Sequence, residues 1–117
     1  MTTTKFEQTD LNCYRGDTET YTFNVTSGGS AYTLSGYTIV ATGRASEDET
    51  STLFSITITD GQIGSSFSSG VVVFRIPATT SATLPAVVVY DIQATSGSTV
   101  TTIAKGRIKV TKDVSRT

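Results

Sequence analysis

Residues 70–95 read "GVVVFRIPATTSATLPAVVVYDIQAT". Two runs rich in β-branched and aromatic residues flank a small-residue segment bounded by Pro77 and Pro85. Such side chains suit a pleated, half-buried surface, and this composition is poor for an amphipathic helix. In the first run Val72, Phe74 and Ile76 point to one side and Val71, Val73 and Arg75 to the other. Pro77 cannot donate a ladder hydrogen bond, so that strand ends there. The second run, residues 86–95, is a further strand. The intervening "ATTSATLP" is short enough for one helical turn. The unit is therefore strand, brief turn, strand, and an all-β fold follows if the remaining sequence repeats the pattern.

It does so on both sides. Upstream, Tyr21, Phe23 and Val25 alternate with Thr20, Thr22, Asn24 and Thr26, and "SGGS" then breaks the chain. Tyr37, Ile39 and Ala41 alternate with Thr38, Val40 and Thr42, and the strand runs into the acidic loop "RASEDETS". Phe54, Ile56 and Ile58 alternate with Ser55, Thr57 and Thr59 before Asp60-Gly61, a tight-turn pair. Downstream, "TVTTIAKGRIKV" returns from the turn "SGST" to pair with residues 86–95. Six or seven short strands with turns about every dozen residues predict an immunoglobulin-like antiparallel β-sandwich of about seven strands. A closed small barrel is the alternative. The expected core is Tyr21, Phe23, Val25, Ile39, Phe54, Ile56, Val72, Phe74, Tyr90, Ile92 and Ile108.

At 117 residues the chain is one domain, able to bury roughly 65% of its unfolded surface without staples. We expect a flexible N-terminal arm over residues 1–10 and a single sandwich over 11–117. About a third of the residues are Ser or Thr and only 16% are charged, which again favours strands and turns. A net charge of −1 gives no general attraction to nucleic acid or an anionic membrane. No apolar run approaches 18 residues, and "MTTTKFEQTD" lacks the apolar stretch of a secretory signal. Cytoplasmic synthesis without membrane insertion is the expectation.

The motifs resolve mostly into structural chemistry. Arg15-Gly16-Asp17 spells an adhesion tripeptide, yet Gly and Asp are also what a turn entering a strand requires. Asn24-Val25-Thr26 is a glycosylation acceptor placed mid-strand. There is no His, so Ser-His and Cys-His nucleophile pairs and His-ligated metal sites are excluded. Cys13 stands alone and reads as a small buried hydrophobe. Glu47, Asp48 and Glu49 are consecutive, so along an extended loop their carboxylates diverge; a solvated loop outweighs a weak calcium site. Asp91 interrupts an apolar strand and reads as an ion-pair partner of Arg75 or Arg107 rather than an acid catalyst. The Gly-containing loops precede no helix that could cradle a phosphate. Lys105, Arg107 and Lys109 alternate with small and apolar residues, which suits protection of an edge strand, with docking to an acidic protein surface as the second reading. No catalytic, cofactor-binding or metal-binding residues are assigned.

The order "YRGDTETYTFNVT", "YTLSGYTIVATGRA", "GVVVFRIPATTSATLPAVVVYDIQAT" and "GRIKVTKDVSR" resembles the small immunoglobulin-like domain of tailed-bacteriophage virion proteins. It is similar to the N-terminal domain of the baseplate upper protein family. The family's Gly-Asp-Thr turn, Leu-Ser/Thr-Gly step, Leu-Pro segment and Tyr-Asp-Ile strand match Gly16-Asp17-Thr18, Leu34-Ser35-Gly36, Leu84-Pro85 and Tyr90-Asp91-Ile92. The resemblance implies a non-enzymatic, cofactor-free structural protein of the virion. Longer family members continue into fibre-like or receptor-binding parts with no counterpart here, so a capsid decoration (cement) protein is expected, with a tail or baseplate adaptor as the alternative. A free immunoglobulin-like module binding carbohydrate or a host protein is the reading of another class. The expected partners are capsid or baseplate proteins and further copies of the chain, as a trimer or dimer, with the N-terminal arm ordering against a neighbour. One small domain is expected to lack a cleft for a ligand of several hundred Å³.

Overall fold

The computed structural model describes residues 7–8, 10–27, 30–31 and 33–111. Along them run β1 (Glu7–Gln8), β2 (Leu11–Tyr14), β3 (Glu19–Asn24), β4 (Thr26–Ser27), β5 (Ser30–Ala31), β6 (Thr38–Arg44), β7 (Phe54–Ile58), β8 (Val71–Ile76), β9 (Val87–Ser96) and β10 (Thr99–Thr111). One helical turn, α1 (Ala78–Ser81), follows Pro77, and a 3₁₀ turn spans Phe67–Ser69. Among the described residues no helix is long and apolar enough to cross a membrane.

The larger sheet has the order β1-β10-β9-β6-β7, with β2 also on β10; β3 and β8 form a second, two-stranded sheet. The expected all-β sandwich is what the chain forms, and seven of its strands exceed two residues. Its strand order matches the immunoglobulin arrangement: β3 with β8 as one layer, β6, β9 and β10 as the other, and β7 added beside β6. Pairing is not antiparallel throughout. Both β1 and β2 run parallel to β10, with Gln8 opposite Lys105 and Asn12 opposite Lys109.

That addition corrects the reading of the basic stretch. Over Lys105, Arg107 and Lys109, β10 is paired with β9 on one flank and with β1 and β2 on the other, so these cations do not guard an edge. Their alternation holds, since Ala104, Gly106, Ile108 and Val110 are buried. Lys112 and Arg116 lie outside the described residues. Of the expected arm, Glu7 and Gln8 pair with β10 of the same chain, and Asp10 Oδ1 accepts the Arg107 N–H at 3.3 Å.

Between the sheets the core centres on Phe74, which is fully buried. Its ring lies 5.8 Å from both Tyr21 and Phe54 and 6.5 Å from Tyr90, so one aromatic cluster joins the two layers. Phe23, Val25, Ile39, Phe54, Val72, Phe74, Tyr90, Ile92 and Ile108 are buried as expected, whereas Tyr21 and Ile56 are only partly covered. Cys13 is buried against this core, and the burial, with Glu19 nearby, raises its thiol pKa. Gly43 lies opposite Phe54, where any Cβ would overlap the Phe54 ring.

Asp60-Gly61 makes the expected tight turn, with Gly61 at φ 83° and the Gln62 N–H donating to the Thr59 carbonyl at 3.2 Å. The turn does not close a hairpin. Instead the chain crosses to the second sheet, and Ser65 Oγ accepts the Val73 N–H at 3.0 Å, covering the flank of β8 opposite β3.

Candidate functional site

Residues paired directly across a sheet share a face, so the ladders place side chains without further assumption. On the outer face of the larger sheet one row reads Arg44, Val89, Arg107 and the next Thr42, Asp91, Lys105, crossing β6, β9 and β10. A third row holds Val87, Lys109 and Asn12. Neighbours in a row lie about 5 Å apart at Cβ, so Arg44 and Arg107 flank Val89 on its two sides.

Above these rows is an open hollow of about 630 Å³. Residues 45–48 wall it beyond the end of β6, Lys105 and Arg107 line it along β10, and Asp10 closes one corner. The expectation of no sizeable cleft is thus overturned, because the acidic loop after β6 stands as a wall beside the sheet. Its lining carries Arg44, Lys105 and Arg107 against Asp10, Glu47, Asp48 and Asp91. Such an open surface of both signs suits a polar macromolecular partner better than an apolar small ligand.

Asp91 sits in the hollow's floor. Burial raises its carboxyl pKa, while Arg44 and Lys105 oppose that shift. The expected partners Arg75 and Arg107 are not the ones the fold supplies. Arg75 belongs to β8, where its Nε contacts Thr20 Oγ1 at 3.4 Å, and Arg107 stands one row along, opposite Val89.

The Arg15-Gly16-Asp17 motif is a turn tied to the segment around α1. The Asp17 N–H donates to the Tyr14 carbonyl at 3.0 Å, and Gly16 has φ 93°. Arg15 Nε donates to the Leu84 carbonyl at 3.1 Å. Fully buried Ser81 accepts the Gly16 N–H at 3.0 Å and donates to the Asp17 carbonyl at 2.7 Å. The fold therefore uses the Arg15 guanidinium and both flanking peptide groups internally. Asn24 ends β3 with its side chain exposed. Glu47, Asp48 and Glu49 are exposed, and among the described residues no cluster of three or more acidic or Cys side chains suits a metal ion.

Sequence reasoning missed two residues of the outer face. Tyr14, 55% exposed, ends β2, and Val87, 44% exposed, begins β9. The signal for Tyr14 was present in the alternation of "LNCY", which runs to only four residues. Comparison with protein-family models and with curated proteins finds no match.

Proposed function

We propose that this chain is a non-enzymatic structural protein of a bacteriophage virion, a sandwich module that docks onto the particle. The observation that carries this reading is the position of the segments behind the phage-domain resemblance. Gly16-Asp17-Thr18 forms the turn into β3, Leu34-Ser35-Gly36 precedes β6, Leu84-Pro85 precedes β9, and Tyr90-Asp91-Ile92 lies within β9. Leu34, Leu84 and Tyr90 are each at most 2% exposed. The resembling segments are therefore those on which an immunoglobulin-like sandwich depends, and the fold agrees with what the resemblance implies. Capsid decoration is the first assignment, because a small module suits repeated attachment to a lattice with avidity from several weak contacts.

Labelled protein imaged on purified particles tests the proposal. Density or label over the capsid shell is the expected result; label at the baseplate would move the assignment to a tail adaptor. Particles devoid of the protein would end the virion reading. The hollow beside β6 favours one other reading, a free module binding carbohydrate or a host protein, for which purified protein should retain host-surface glycans or proteins in the absence of particles.

A further inference from the structure

The outer face of the larger sheet is mainly acidic on its β6 flank and mainly basic on its β10 flank, with Arg44 the one cation lining the hollow on the first and Asp10, beside Arg107, the one carboxylate lining it on the second. Beyond the end of β6 stand Glu47, Asp48 and Glu49, all exposed. On the other flank stand Arg107 and Lys109, also exposed. The register puts the two groups at the same height along the strands. Arg44, the last residue of β6, is level with Val89 and Arg107, so the loop that follows lies level with Val87 and Lys109.

We propose that this face pairs with the same face of a second copy about a two-fold axis parallel to β9. Rotation about such an axis carries the β6 flank of one copy over the β10 flank of the other while preserving height. Each acidic loop then meets the partner's Arg107 and Lys109, and the contact occurs twice. An axis across the strands would instead lay the β6 flank of one copy over the β6 flank of the other, away from the cations of β10.

Size agrees with this arrangement. Five strands about 4.8 Å apart and a ten-residue central strand β9 give a face near 24 by 34 Å, on the order of 800 Å² per copy, which is what a specific interface of standard size buries on each side. Tyr14 stands two strands from β9 on the β2 flank, so the rotation brings its exposed ring over the partner's loop 45–52, beside the hollow. An aromatic side chain projecting at a concavity is the kind of group that anchors such contacts.

The pairing is independent of the virion reading, and solution measurements test it. Sedimentation of the purified chain from about 1 to 100 μM should show a monomer–dimer equilibrium that weakens as salt rises, because the exposed pairs are screened. Arg107→Glu with Lys109→Glu should raise the dimer Kd at least about tenfold, as should Glu47→Lys with Asp48→Lys, each with unchanged far-ultraviolet circular dichroism. Mixed in equal amounts, the two charge-reversed proteins should form a heterodimer of near wild-type affinity. Tyr14→Ala should weaken the dimer without altering its salt dependence. A wild-type chain that stays monomeric across the range would overturn the pairing, as would charge-reversed partners that fail to associate with each other. Monomeric protein whose loading onto particles is nonetheless lost on charge reversal would also overturn it and give the face to a different protein.

Discussion

The two layers of the sandwich solve the problem of stability in different ways. The larger sheet is self-supporting in pattern: β9 and β10 are flanked on both sides, and the register runs without interruption from β7 to β9. The smaller sheet has two strands, which are marginal in isolation. It persists because Phe74 and Phe23 pack their rings against Phe54 and Tyr90 of the opposite layer and because Ser65 covers the second flank of β8. One layer leans on the other, and the layer that supports leaves Arg107 and Lys109 exposed on its outer face.

Phe74→Ala should break this relation most severely. Loss of a fully buried Phe costs about 3–5 kcal/mol, a large share of a stability of 5–15. If the layers differ as argued, hydrogen exchange should accelerate first in β3 and β8 while β9 and β10 stay protected; uniform acceleration would show one indivisible unit. Gly43→Ala attacks the supporting layer instead. Its Cβ would overlap the Phe54 ring, so a loss of about 1–3 kcal/mol is expected in denaturant unfolding, with β6 and β7 amides affected first.

Ser81→Ala probes the turn that feeds the smaller sheet. It removes the acceptor for the Gly16 N–H and the donor to the Asp17 carbonyl, and about 1–2 kcal/mol should be lost in thermal unfolding. Retained stability would mean that water replaces both bonds.

How much of this was legible beforehand depended on the range of the interaction involved. Alternation in residues 20–26, 37–42, 54–59 and 70–76 is local, so the strands and their inward faces could be read directly. The parallel partner of β10 could not. A period of two marks a strand but carries no information about its neighbour, and "LNCY" is too short to stand out. The same gap hides one cationic neighbour of Asp91: Arg44 comes near only because β6 lies next to β9, a pairing between residues about fifty positions apart, whereas Lys105 faces it across the β9–β10 hairpin. The hollow was missed for a further reason: it exists only where the loop after β6 comes together with the outer face of β9 and β10.

Asp91 supplies a smaller test, confined to the open face. Its pKa in the fold is raised by burial, so the native state pays for the ionised carboxylate at neutral pH and is relieved as pH falls through that value towards the ordinary 3.8. Asp91→Asn should therefore raise the melting temperature at pH 7, and the advantage should disappear below about pH 3.8, where both side chains are neutral. A variant destabilised at pH 7 would indicate that Arg44 and Lys105 outweigh the burial. Smallest of all is Asp17→Glu: the fold uses the main-chain groups of this exposed residue, so stability should move by less than about 0.5 kcal/mol and adhesion of integrin-bearing cells should be unchanged.

The parallel seating of β2 on β10 has a consequence for synthesis. Asn12 finds its ladder partner in Lys109, so the sheet joins almost the first described residues to almost the last. Contacts of such sequence separation raise the contact order, which places folding in the slow range of milliseconds to seconds. On the ribosome the early strands must wait, with Leu11 and Cys13 unburied, until the final strand has cleared the exit tunnel. The larger sheet cannot close before β10 emerges, and nascent chains truncated before residue 99 should remain open to protease.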